Sequence, residues 1–111
     1  MNIKYNPHRG DIVWLDFDPA AGSEIQKRRP GLVLSPYDFN CITGYAMIAP
    51  ITSTVRGHVF EVALDDCVTR GVVVCQQAKS LAYTFRNASF IEDAPAHVTE
   101  KALAKVRAIL E

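Results

Sequence analysis

One stretch constrains the fold more than any other, residues 10–36, reading GDIVWLDFDPAAGSEIQKRRPGLVLSP. Apolar runs at 12–17 and 32–34 flank a polar loop, 18–29, that closes on Lys27-Arg28-Arg29-Pro30. The first run alternates, with Val13, Leu15 and Phe17 on one face and Ile12, Trp14 and Asp16 on the other, the period of a strand with a buried face. Trp14 then needs cover from a loop or a partner chain. A long polar loop between two short strands is usually a binding or catalytic element. Pro30 biases Arg29 toward extended backbone, which points it outward at the start of the second strand.

The rest of the chain has the same short, turn-bounded grain. A strand over 31–35 ends at Pro36, a single helical turn or loop fits 37–43, and a third strand runs over 45–51 with its pairing lapsing at Pro50. Three hydroxyls follow, Thr52-Ser53-Thr54. Strands are expected at 57–64, 71–75 and 83–91, with an irregular or 3₁₀ crossing at 76–82 and a turn at 92–95. Thr99 is the expected N-cap of a final helix whose apolar stripe is Leu103, Val106, Ile109 and Leu110. The expectation is an α+β, mainly β fold: a small SH3-like barrel of five to seven short strands with a C-terminal amphipathic helix. At 111 residues, the length fits one domain spanning 1–111.

Composition narrows the chemistry. Twelve basic and twelve acidic residues give zero formal net charge, so the molecule as a whole offers no long-range field to nucleic acid and any polyanion site is local. The basic residues cluster as Lys27, Arg28 and Arg29, then Arg56 with His58, then Lys79 and Arg86. Cys41, Cys67 and Cys75 are odd in number without C-x-x-C spacing, which implies free thiols acting as small buried hydrophobes in a reducing compartment. Residues 1–9, a polar lead-in, lack an apolar export core, and no run is long enough to span a membrane, so the cytoplasm is expected.

His8, His58 and His97 are dispersed, and Asp16 with Asp18 reads equally as a D-x-D pair or as strand-end acids, so no metal site and no cofactor is expected. No nucleophile elbow or cysteine-protease motif is present. A basic and hydroxylated set remains: Glu24, Arg28, Arg29, Thr52, Ser53 and Lys79. Guanidinium forks and hydroxyls suit phosphate oxygens. Such a set fits transesterification of RNA, where the 2′-hydroxyl attacks its own phosphate. Plain phosphate binding and solvated loop charge remain alternatives from these residues alone.

The blocks GDIVWLDFDPAAGSE at 10–24, RRPGLVLSP at 28–36, APITS at 49–53 and QQAKSLA at 76–82 together resemble the MazF/PemK family of toxin endoribonucleases from type II toxin–antitoxin systems. The resemblance implies a PemK/CcdB-type barrel, a homodimer, and metal-independent, sequence-specific cleavage of single-stranded RNA, chiefly mRNA, leaving 2′,3′-cyclic phosphate and 5′-hydroxyl ends. It also implies a MazE-like antitoxin, whose tail is expected to be acidic and disordered and to cover the basic site. The family's catalytic arginine falls on Arg29 and its threonine on Thr52. The family's loop glutamate falls on Glu24 and the lysine of its later block on Lys79, while Arg28 adds charge at a position the family varies; with Lys27, Ser53, Gln77 and Arg86 these are the expected RNA-binding or supporting residues. Trp14 and residues 76–82 are candidates for dimer contact. Gln76 stands where an acidic residue or asparagine is common in the family, which bears on the cut sequence. The alternatives are a same-fold poison of DNA gyrase, disfavoured by the Ile109-Leu110-Glu111 ending, and a non-catalytic RNA binder.

Overall fold

A computed structural model describes residues 5–111; the first four residues of the polar lead-in lie outside the described part. Seven strands form, β1 (Asp11–Asp16), β2 (Arg28–Val33), β3 (Ala46–Thr52), β4 (Glu61–Ala63), β5 (Val72–Val74), β6 (Lys79–Leu81) and β7 (Ser89–Asp93), with helices α1 (Tyr37–Thr43) and α2 (Ala96–Ile109). Every pairing is antiparallel, in the order β4-β5-β3-β2-β1-β7, with β6 also on β3.

Period-two alternation builds two cores. Ile12, Leu32, Ala49 and Ile51 pack with Val62, Val73, Val98 and Ala102, whereas Val13, Leu15, Phe17, Val33, Ala46 and Ile48 pack with Leu81 and Tyr83. The sheet is therefore apolar on both faces, and only a bent sheet that folds over itself and takes α2 on one side can bury both. It stays open as a hydrogen-bonded ladder, since β4 and β7 are unpaired edges. The side chain of Glu92 on β7 ties that edge to the β4–β5 loop, accepting the N–H groups of Val68 (3.0 Å) and Thr69 (2.7 Å) and the Thr69 hydroxyl (2.6 Å).

Several boundaries differ from the sequence expectation. β2 begins at Arg28, not at Gly31, because Asp16 and Leu15 of β1 pair with Arg28 and Arg29. The ladder of a formed strand overrides the weak strand propensity of charged residues and proline. The loop shortens to 17–27. Pro50 does not end β3; it sits where that strand changes partner on one edge, from β6 at 46–48 to β5 at 51–52, so its missing N–H falls at a break in pairing. The 76–82 crossing contains β6, and 83–91 divides into a 3₁₀ turn (Tyr83–Phe85) and β7, which continues through Glu92 to Asp93. The strand expected over 57–64 forms only at Glu61–Ala63.

The last helix starts before Thr99. Pro95 stands at the N-cap, where its fixed φ suits a helix start, and its carbonyl accepts the Val98 and Thr99 N–H groups. Thr99 is buried inside the first turn. The apolar stripe docks through Val98, Ala102, Leu103 and Val106, and runs out into solvent at Ile109 and Leu110. Cys75 is buried, Cys67 half-buried and Cys41 exposed on α1, so the buried-hydrophobe role fails for Cys41. Among the described residues Trp14 remains 42% exposed.

Gly31 is dictated by packing. A Cβ there would lie 2.6 Å from Cγ2 of Ile48 and 3.0 Å from Cζ of Phe17, so the strand's glycine lets those two side chains meet over it.

Candidate active site

The end of β3 and the loop 17–27 enclose a cavity of about 470 Å³ lined by Ser23, Ile25, Thr52, Thr54, Arg56, His58, Glu61, Val74, Gln76 and Gln77. Thr52 is half-buried, and its Oγ1 accepts the N–H of Thr54 at 3.1 Å, leaving the hydroxyl proton free to donate. Gly71 presses against the same residue. It has φ +115°, and a Cβ there would come within 2.1 Å of the Thr52 carbonyl oxygen. The bare backbone of Gly71 thus allows β5 to hold Thr52 where β3 ends.

The two principal candidates lie on the adjacent strands β2 and β3. β2 and β3 pair as Val33–Ile48, Leu32–Ala49 and Gly31–Pro50. The pairing ends at Gly31–Pro50, two residues short of Arg29 on β2 and of Thr52 on β3, and Thr52 lines the cavity whereas Arg29 does not. Arg29 is exposed, and its one hydrogen bond among the described residues is a long one from Nε to the Gln26 carbonyl (3.4 Å). Its terminal nitrogens are free to fork onto an anion.

The other implied residues divide between support and standing apart. Gln77 accepts the Ile25 N–H on Oε1 at 2.7 Å, joining the loop to the opposite wall of the cavity. Lys27 closes the loop at φ 70°, with its N–H on Asp18 Oδ1 (3.0 Å) and its carbonyl on the Phe17 N–H (2.9 Å). Arg86 donates Nη1 to the carbonyls of Asp16 (3.0 Å) and Asp18 (2.8 Å). That makes Arg86 a clamp on the loop's first end. Arg28 faces away from the cavity wall, pairing with Asp16 at 3.4 Å and donating to Ser89 at 3.3 Å.

Glu24 turns its carboxylate onto the Ala21 N–H of its own loop (2.8 Å), and neither it nor Ser53 lines the cavity. Lys79 lies opposite Ile48 in the β6–β3 pairing, four residues along β3 from Thr52, or about 13 Å at ~3.3 Å per residue. The D-x-D pair is engaged: Asp16 by Arg28 and Asn87, Asp18 by Lys27. Among the described residues no three His, Cys, Asp or Glu side chains converge as a metal site would require.

The match to known proteins follows the same residues. Residues 8–110 fit the family model described as PemK-like, MazF-like toxin of type II toxin-antitoxin system. The chain belongs to the PemK/MazF toxin family. It is 42% identical over 89 residues to the endoribonuclease toxin MazF of Escherichia coli K12, covering 80% of each chain. MazF of Deinococcus radiodurans superposes with a TM-score of 0.92 at 40% identity, over 96% of this chain and 98% of that one. The MazE–MazF complex from the same organism gives 0.84 at 36% identity, over 96% and 97%.

Within this PemK/MazF-type fold the cavity wall formed by Thr54, Arg56, His58 and Glu61 goes beyond the residues singled out as principal candidates from sequence. Arg56 and His58 carried a signal as a basic pair in a turn. Glu61 carried none, because its place in the wall depends on how the β3–β4 loop folds back. Both its oxygens accept from that loop: the Arg56 N–H at 3.3 and 3.2 Å and the Gly57 N–H at 3.0 Å.

Proposed function

We propose that this protein is the toxin of a type II toxin–antitoxin pair and an endoribonuclease that cuts single-stranded RNA, chiefly mRNA, by internal transesterification. The observation that supports this most directly is the polar cavity at the end of β3, lined by Thr52 and closed by the loop that leads into Arg28 and Arg29 at the start of β2. In the reaction the 2′-oxygen bonds to phosphorus as it gives up its proton, the bond from phosphorus to the 5′-oxygen breaks, and that oxygen takes up a proton. The products are a 2′,3′-cyclic phosphate and a 5′-hydroxyl.

Negative charge builds on the phosphoryl oxygens along this path, so fixed donors aimed at them accelerate it. Arg29 supplies the forked charge for the phosphoryl oxygens and the leaving 5′-oxygen. Thr52 holds one phosphoryl oxygen with its free hydroxyl proton. Lys79 on β6, opposite Ile48 of β3, meets the backbone of a neighbouring nucleotide. Gln77, Lys27 and Arg86 hold the loop in place over the cavity.

The partner is a MazE-like antitoxin with an acidic, disordered tail that folds over the basic site; the Deinococcus radiodurans relative is solved as a MazE–MazF complex. The working form is a homodimer, which would cover Trp14, and the setting is the cytoplasm. The test is incubation with RNA in excess EDTA and chemical mapping of the ends. Expected ends carry 5′-hydroxyl groups; 5′-phosphate ends or intact RNA refute the reading. Arg29→Ala and Thr52→Ala are each expected to slow cleavage by about 10²-fold or more, the usual effect of losing one donor to a developing oxyanion, with the thermal midpoint little changed.

A further inference from the structure

Glu61 is the only carboxylate in the wall of the cavity beside Thr52. It is half-buried and forms no ion pair among the described residues. The N–H groups of Arg56 and Gly57 fix its orientation, yet two donors do not saturate a carboxylate with about four lone-pair sites. A negative group is a poor neighbour for phosphate, so with the phosphate at Thr52 the part of the RNA that faces Glu61 is not the backbone. Around Glu61 the wall offers Arg56, the amides of Gln76 and Gln77, the His58 imidazole and the hydroxyls of Ser23 and Thr54, with Ile25 and Val74 as apolar surface. Mixed donors and acceptors beside apolar surface match the edge and face of a base. Sequence-specific RNA recognition works on such splayed-out bases, read on their hydrogen-bonding edges.

We propose that this cavity is a subsite for one unstacked nucleobase next to the scissile phosphate, and that Glu61 selects there for a base bearing an exocyclic amino group, against uracil. Adenine, guanine and cytosine each present an amino donor to the carboxylate. Uracil presents a single N–H between two carbonyls, which the carboxylate repels. The inference rests on the endoribonuclease reading above and adds the base preference to it.

The experiment cleaves a random-sequence RNA pool with wild type and with Glu61→Gln and sequences the new 5′-hydroxyl ends. Wild type is expected to deplete uracil about tenfold at one position flanking the cut, the effect of one hydrogen bond to a charged acceptor. In Glu61→Gln the amide oxygen still caps Gly57 while the NH₂ becomes a donor toward the cavity, so the depletion lifts. Independently of any variant, the enriched base is replaced in a short substrate by its deamino counterpart: purine for adenine, inosine for guanine, 2-pyrimidinone for cytosine. Wild type is expected to cut that substrate about tenfold more slowly. RNA left whole by wild type removes the endoribonuclease reading itself. Cleavage without bias against uracil, an unchanged profile in an active Glu61→Gln, or full speed on the deamino substrate leaves that reading standing and overturns the subsite. If Glu61→Gln does not fold, the deamino substrate decides.

Discussion

Replacing Gln77 with alanine tests whether the loop 17–27 is held over the cavity by a single link. The other hydrogen bonds of this loop are local or run to strand ends: Lys27 to Phe17 and Asp18, Glu24 to Ala21, Arg86 to Asp18. Only the Ile25 N–H, 2.7 Å from Gln77 Oε1, reaches the opposite wall. Both residues are half-buried, so water competes for the bond and its net value is that of an ordinary intramolecular one, ~1 kcal/mol. At about 1.4 kcal/mol per factor of ten, the open loop gains roughly fivefold in population. Amide exchange reports this directly, because Ile25 itself is the donor. In Gln77→Ala its exchange should quicken about fivefold, with the thermal midpoint nearly unchanged and KM for RNA raised more than kcat is lowered. Gln77→Glu keeps an acceptor at the same position and should restore slow exchange. If Ile25 exchanges at the same rate in wild type and Gln77→Ala, the loop is held by something else and the latch is wrong.

Three further perturbations follow from the packing and the charges. Gly31→Ala should lower stability by ~1–3 kcal/mol, the usual cost of overpacking, because the new methyl meets Ile48 and Phe17; denaturant unfolding measures it, and a neutral result contradicts the packing. Hydrogen bonds from the Thr69 side chain and the Val68 N–H hold the Glu92 carboxyl below its ordinary pKa of 4.5. A carboxyl lowered in the folded state contributes stability that is complete above its unfolded pKa and is lost as pH falls through the folded one. Glu92→Gln should therefore cost stability at pH 7 and flatten the decline below about pH 4.5; an acid limb identical to wild type rules this out. Burial pushes the Cys75 thiol up to about 11, whereas Cys41 is exposed, so a thiol reagent at pH 8 should label Cys41 first and Cys75 only on unfolding, as peptide mapping would show.

The strands were legible where side chains alternate and one chain segment suffices to define a face, as at Val13, Leu15 and Phe17. Strand ends were not, because they depend on the neighbour. Arg28 and Arg29 read as loop until β1 supplies the backbone partners that draw them into β2. Pro50 read as a lapse in pairing inside the third strand, and the change of partner from β6 to β5 on either side of it is that lapse. Thr99 read as a cap by residue type, but a proline at the right φ four residues earlier starts the helix first. The role of each basic residue was equally beyond local reading: Arg28, Arg29 and Arg86 are alike in the sequence, and only contacts separate an ion pair, a free guanidinium and a clamp on two carbonyls.

By itself the sequence determined the small β-rich fold with its terminal helix and the family, because hydrophobic period and short motifs are properties of neighbouring residues. The tertiary structure alone decided that Gln77 latches the loop, that Gly71 abuts Thr52, and that Glu61 enters the cavity wall. Those arrangements join Gln77 to Ile25, 52 positions away, Gly71 to Thr52, 19 away, and Glu61 to the cavity beside Thr52, 9 away, and strand register and close packing, which no local pattern encodes, set the distances between them.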